Sequence, residues 1–147
     1  MIQLIRTASS SPLSYFRLNI YDKATSVDYK PLITFTSQLT GKSKTFVSTL
    51  NATTNKDRYV ELGCMVTYQD SETLTAGIIY LGNTDFPLGF YDVTIYQNSS
   101  NTNLDPSGLT TIYTGLMNLT STTGTEAVKY SEYTTNDSDT ESVYITI

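Results

Sequence analysis

Between Gly89 and Gln97 the chain reads Gly-Phe-Tyr-Asp-Val-Thr-Ile-Tyr-Gln, and this stretch restricts the fold more tightly than any other. Tyr91, Val93 and Ile95 fall on one side of an extended backbone, and Phe90, Asp92, Thr94 and Tyr96 on the other. That is the period of two of a half-buried strand. The stretch is expected to be a central strand, with Leu88 and Gly89 turning the backbone into it. A glycine, an aromatic residue and a tyrosine in this order have the form of a tyrosine corner in an Ig-like sandwich. The Tyr91 phenol then either packs at the sheet edge with its hydroxyl bonded to upstream backbone, or simply packs. Gly89, Tyr91, Val93 and Ile95 are accordingly read as structural residues, and nothing in the stretch is chemically reactive.

The same alternation recurs along the chain. Ile2 and Leu4 begin it, residues 8–12 with Pro12 break it, and Phe16, Leu18 and Ile20 resume it, so the first strand is expected to be split between two sheets. Residues 32–36 form a strand with Ile33 and Phe35 inward. The turn signal Thr40-Gly41-Lys42 then returns the chain as a hairpin over residues 44–50. Residues 51–57 read as an exposed loop. Residues 58–68 bury Val60, Leu62, Cys64 and Val66 in a long strand.

Residues 74–81 read as a further strand whose end, Ile78 to Leu81, is apolar on both faces, so that it is either central or covered by a partner. After the organising strand comes a loop over residues 98–108 with a lone Leu104. A strand over residues 109–119 follows, where Gly115 permits a bulge or close packing. Segment 120–147 is expected to be a C-terminal strand extension. Val143, Tyr144, Ile145 and Ile147 would pair inside the domain or with a neighbouring subunit.

A chain of 147 residues fits one domain with one core. Only 16% of residues are charged, and Thr, Ser, Asn and 12 Tyr fill the difference, which favours sheets and turns over helices. The expected fold is a single all-β domain over residues 1–147, an Ig-like antiparallel β-sandwich of about seven to nine strands.

The net charge of −5 argues against nucleic acid or an anionic membrane as a partner through a general field. Lys23, Lys30, Lys42, Lys44, Lys56 and Arg58 nevertheless collect in the first half, against Lys129 in the last third. Cys64 is the sole cysteine, so no internal disulfide forms, and its place in an alternating run marks it as a buried thiol. No basic and apolar leader follows Met1, and the run at residues 76–82 is too short to span a membrane, so folding in a cytoplasm is expected. The Asn-X-Ser/Thr triplets at Asn51, Asn98 and Asn118 follow from the composition without glycosylation.

The chain has no histidine, which removes Ser-His-Asp and Cys-His arrangements and the commonest zinc ligand. No phosphate loop is present. Glu61, Asp70, Glu72, Asp85, Asp92 and Asp105 could form an acid/base pair only if the fold converged them, and they fall mainly at turns and outward positions. Asp137, Asp139 and Glu141 have the spacing of cation ligands but lack the glycine and distal glutamate of a calcium loop, so a solvated acidic turn is favoured. The expected protein is not an enzyme and uses no cofactor. Tyr15, Tyr21, Tyr68, Tyr80, Tyr96, Tyr113 and Tyr144 decorate the sheets or serve an interface, of which Leu104, Tyr113, Val143, Tyr144, Ile145 and Ile147 are the candidate residues.

Three stretches carry a resemblance. Residues 32–44 resemble the pattern xFxFTNxxTxKS, residues 89–97 resemble GxYxYxIYEQ, and residues 112–119 resemble xExGxMxV. In this order they resemble small structural virion proteins of tailed bacteriophages, of the capsid auxiliary or decoration type, over residues 1–120. The chain departs from them at Asp92, where the pattern has an aromatic residue, and at Asn98, where it has an acid. The resemblance implies a virion protein assembled in a bacterial cytoplasm, with the major capsid protein or other virion proteins as partners and many copies or a homo-oligomer on the shell. The alternative is a carbohydrate-binding or host-adhesion module of a tail or head fibre that uses exposed tyrosines as stacking platforms, which the lack of Trp weakens.

Overall fold

The computed structural model describes residues 1–19, 30–50 and 59–122. Nine strands lie in these residues: β1 (Ile2–Arg6), β2 (Leu13–Leu18), β3 (Leu32–Ser37), β4 (Ser43–Val47), β5 (Thr49–Leu50), β6 (Val60–Thr67), β7 (Ile78–Tyr80), β8 (Gly89–Tyr96) and β9 (Thr111–Ser121). One sheet has the order β1-β9-β8-β3-β4; the other has β2-β6-β5, with β7 also paired to β6.

This is the Ig-like arrangement. The pairs β9-β8-β3-β4 follow the order G-F-C-C′, and β2-β6-β5 follows B-E-D. β1 runs parallel to β9, with Ile2 opposite Met117, while β8 and β9 are antiparallel. The chain thus changes sheet between β1 and β2, at the break around Pro12.

The two inner faces interlock through one cluster. Ile2, Leu4, Phe35, Val93 and Met117 of the first sheet meet Phe16, Leu62, Cys64, Val66 and Ile79 of the second. Phe35 sits edge-on to Phe46, ring centres 5.1 Å apart, and to Tyr91 at 6.4 Å. Tyr91, Val93 and Ile95 are buried and Phe90 and Asp92 exposed, as their alternation requires. The backbone enters β8 at Gly89 with φ 129°, a region that side chains rarely adopt. The Tyr91 hydroxyl then donates to the Pro87 carbonyl at 2.5 Å, the upstream bond of a tyrosine corner. Burial pushes the phenol's pKa up, so it stays protonated and keeps donating.

Two expectations need correction. The segment 74–81 is not one strand: Leu74–Ala76 make a single 3₁₀ turn, Gly77 has φ 72°, and only Ile78–Tyr80 pair, parallel to β6. The left-handed conformation at Gly77 stops a strand from running through it. The apolar run beyond it is explained within the chain, because Ile79 and Leu81 enter the core while Ile78 and Tyr80 are half-buried outside it. Residues 44–50 are not one return strand either: Ser43–Val47 pair with β3, whereas Thr49–Leu50 pair with β6 in the other sheet. In β9 the extra residue lies at Ile112, between the partners of Ile95 and Tyr96, and of the two roles open to Gly115 it takes close packing, the Tyr113 ring occupying the space a Cβ there would take. Residues 20–29, 51–58 and 123–147, including Tyr21, Lys23, Lys56, Arg58, Val143, Tyr144, Ile145, Ile147 and the acidic turn, lie outside the described residues.

Candidate functional site

The carboxylates do not converge. Glu61 accepts from Arg17 Nε at 2.6 Å, Asp85 from Lys42 Nζ at 2.6 Å and Asp92 from Gln38 Nε2 at 2.9 Å. Asp105 accepts the Ser107 N–H at 2.9 Å, which lowers its pKa. Glu72 pairs with Lys44. Among the described residues no group of three or more His, Cys, Asp or Glu side chains is placed to hold a metal ion. The Cys64 thiol is buried, and desolvation pushes its pKa up to about 12, the state of a packing residue rather than a nucleophile.

Lys44 and Glu61 are the most embedded of these charges, their side chains 10% exposed. β4 is the outer strand of its sheet, and Lys44, opposite Phe35, points inward from it, a device that discourages edge-to-edge association. Its ammonium donates to the Tyr80 carbonyl at 2.8 Å and lies 4.4 Å from the centre of the Phe86 ring, while Glu72 Oε1 also accepts the Tyr80 N–H. Replacing Lys44 by Ala should therefore cost about 2–4 kcal/mol in urea unfolding, since Glu72 and the Tyr80 carbonyl lose a partner in a poorly solvated place. Lys42 and Asp85 are both more than half exposed, and Lys42→Ala should cost less than about 1 kcal/mol.

The loop over residues 98–108 is held by a relay of short side-chain turns. Asn98 Oδ1 accepts the Ser100 N–H, Ser100 Oγ accepts those of Thr102 and Asn103, and Asn103 Oδ1 accepts that of Asp105. Asn98 is buried, and its carbonyl accepts the Lys30 N–H, which ties this F–G loop to the approach to β3. Beside it, Lys30, Ser48, Thr49, Ala76 and Asn101 border a cleft of about 270 Å³. Leu104 is half-buried in the loop.

The outer face of the five-stranded sheet is the other candidate surface. Thr45, Thr34, Thr94 and Thr114 stand opposite one another across β4, β3, β8 and β9, with Thr34 and Thr45 hydroxyls 2.8 Å apart. The adjacent rows place Phe90 and Leu116 outward and exposed. Sequence reasoning put Phe90 on the outward face without naming it as an interface residue, and it did not single out Leu116. The available signal was an aromatic residue at an outward position of an otherwise regular strand.

Of the tyrosines, Tyr15 is exposed and its ring covers its cross-strand partner Gly63 in the same sheet, while Tyr68, Tyr80, Tyr96 and Tyr113 are half-buried. Tyr113 faces inward and packs against the core. Compared with known proteins, the chain matches no family model, no curated protein and no solved structure.

Proposed function

We propose that this chain is a non-enzymatic structural protein of a phage virion, a capsid auxiliary or decoration protein that adheres to the lattice of the major capsid protein. Support comes from the placement of the three stretches that carry the resemblance. They are far apart in sequence, yet they build β3, β8 and β9, adjacent strands of one sheet, together with the turn into β4. A family pattern of this kind describes a sheet and the loops it carries, not a reactive centre. The β8–β9 loop, residues 98–108, is set by its own hydrogen bonds before any partner arrives, so little ordering entropy is lost on contact. Many weak adhesions of this sort stabilise an assembled shell by mass action, because the bound protein favours the assembled state over free subunits.

The purified chain should co-sediment with phage shells that lack it and saturate at a fixed ratio to the capsid subunit. Removing residues 142–147, which carry Val143, Tyr144, Ile145 and Ile147, should abolish incorporation into the particle. Failure of the full chain to bind shells overturns the reading. Unchanged incorporation of the shortened chain removes the C-terminal segment from the contact.

A further inference from the structure

Among the described residues seven large apolar side chains stand exposed: Met1, Ile5, Leu13, Tyr15, Leu39, Phe90 and Leu116. Five of them belong to one surface. Met1 and Ile5 of the β1 strip, Leu116 of β9 and Phe90 of β8 point outward from the five-stranded sheet, and Leu39 borders it at the β3–β4 turn. Phe90 at 51% and Leu116 at 44% exposure lie towards its middle. The polar side chains between them are almost all hydroxyls and amides. Among the described residues of these five strands, Asp92 is the only charged side chain at an outward position, and its Oδ1 accepts from Gln38 Nε2.

We infer that this face is the seat of a second copy of the chain, packed sheet against sheet about a twofold axis. Charge selects the occupant. Copies of a chain with net charge −5 repel each other, so they can meet only where charge is nearly absent, and this face has that property. Hydrogen bonding points the same way. A twofold contact sets a surface against itself, and hydroxyls and amides both donate and accept, so the Thr45-Thr34-Thr94-Thr114 row satisfies an identical row. A face with ionised groups of one sign could not do so.

Size is sufficient. Five strands about 4.8 Å apart, and some six residues along each at about 3.4 Å, give a plan area of roughly 500 Å² before side-chain relief. Two such faces together reach the roughly 1,000 Å² in total that a specific interface has to clear. The composition, exposed aromatic and aliphatic anchors amid uncharged polar groups, is that of an interface centre. Pairing through this face does not depend on the virion reading, since it asks only what two copies do together.

The test is the mass of the full chain in solution by sedimentation at up to roughly 100 µM, which captures dimers of micromolar Kd. The wild-type chain should sediment at twice the monomer mass. Phe90→Glu combined with Leu116→Glu should weaken the dimer at least about 100-fold while leaving the far-UV and near-UV spectra unchanged. Thr94→Arg, which places a like charge from each copy within the threonine row, should weaken it as well. Leu13→Glu on the opposite sheet, and removal of residues 142–147, should leave it intact. A wild-type chain that stays monomeric, or a dimer that survives Phe90→Glu/Leu116→Glu, overturns the assignment, as does a dimer lost only when residues 142–147 are removed.

Discussion

Phe35→Ala should destabilise the protein by about 3–5 kcal/mol, the range for deleting a fully buried aromatic ring. Phe35 is the point where two aromatic contacts meet: its ring lies edge-on to Phe46 of the neighbouring strand β4 and to Tyr91 of the neighbouring strand β8. Removing the ring therefore leaves a cavity between two large side chains that cannot both move into it, because Tyr91 is held by its bond to the Pro87 carbonyl. Against a total stability of about 5–15 kcal/mol for a domain, that loss is a third or more. Phe35→Leu refills most of the volume and should cost about 1–2 kcal/mol, mainly the two edge contacts. Urea unfolding midpoints of the two variants beside wild type measure the difference. A cost below about 1 kcal/mol for Phe35→Ala would mean that the ring does not bridge β4 and β8 in solution.

Much of this core could be read from the sequence, because period-two alternation names the face of each side chain directly. Tyr91, Val93, Ile95, Leu62, Cys64 and Val66 all entered the core as their alternation requires. The split of the first strand was also legible, since Pro12 and its polar neighbours interrupt two runs that cannot lie in one line. What alternation does not encode is the partner of a strand or the direction of pairing. Nothing in Ile2–Arg6 says that β1 runs parallel to β9, 115 residues away between Ile2 and Met117. It also fails where both faces are covered. Ile78 to Leu81 looked like a full strand, but the conformation at Gly77 and the parallel docking on β6 confine it to three residues. The partners of the carboxylates were hidden for a related reason. Glu72 and Lys44 lie 28 residues apart and meet only because β4 and the 3₁₀ turn pack together.

Raising the pH should weaken the fold, and Cys64 is the main reason. Below pH about 9, the thiol's ordinary value, it is protonated in both the folded and the unfolded chain, so it leaves stability independent of pH. Above that, the unfolded chain releases the proton, while burial holds the folded thiol protonated up to about pH 12. The folded state then binds more protons than the unfolded one, and stability falls as pH rises, by at most about 1.4 kcal/mol per pH unit. The loss amounts to about 2 kcal/mol by pH 10.5 and about 4 kcal/mol by pH 12, above which it levels off. The Tyr91 phenol, also pushed up by burial, adds a loss of the same sign above pH about 10. Cys64→Ala removes the thiol part alone. Its cost near neutral pH should be about 1–2 kcal/mol, and it should flatten the alkaline slope. Between pH 8 and pH 10.5, urea unfolding of wild type should thus lose about 2 kcal/mol more than that of Cys64→Ala. The Tyr91 contribution is the same in both proteins and drops out of this difference. Equal losses would mean that the folded thiol titrates with the solvent, and that β6 does not seal its inner face against water.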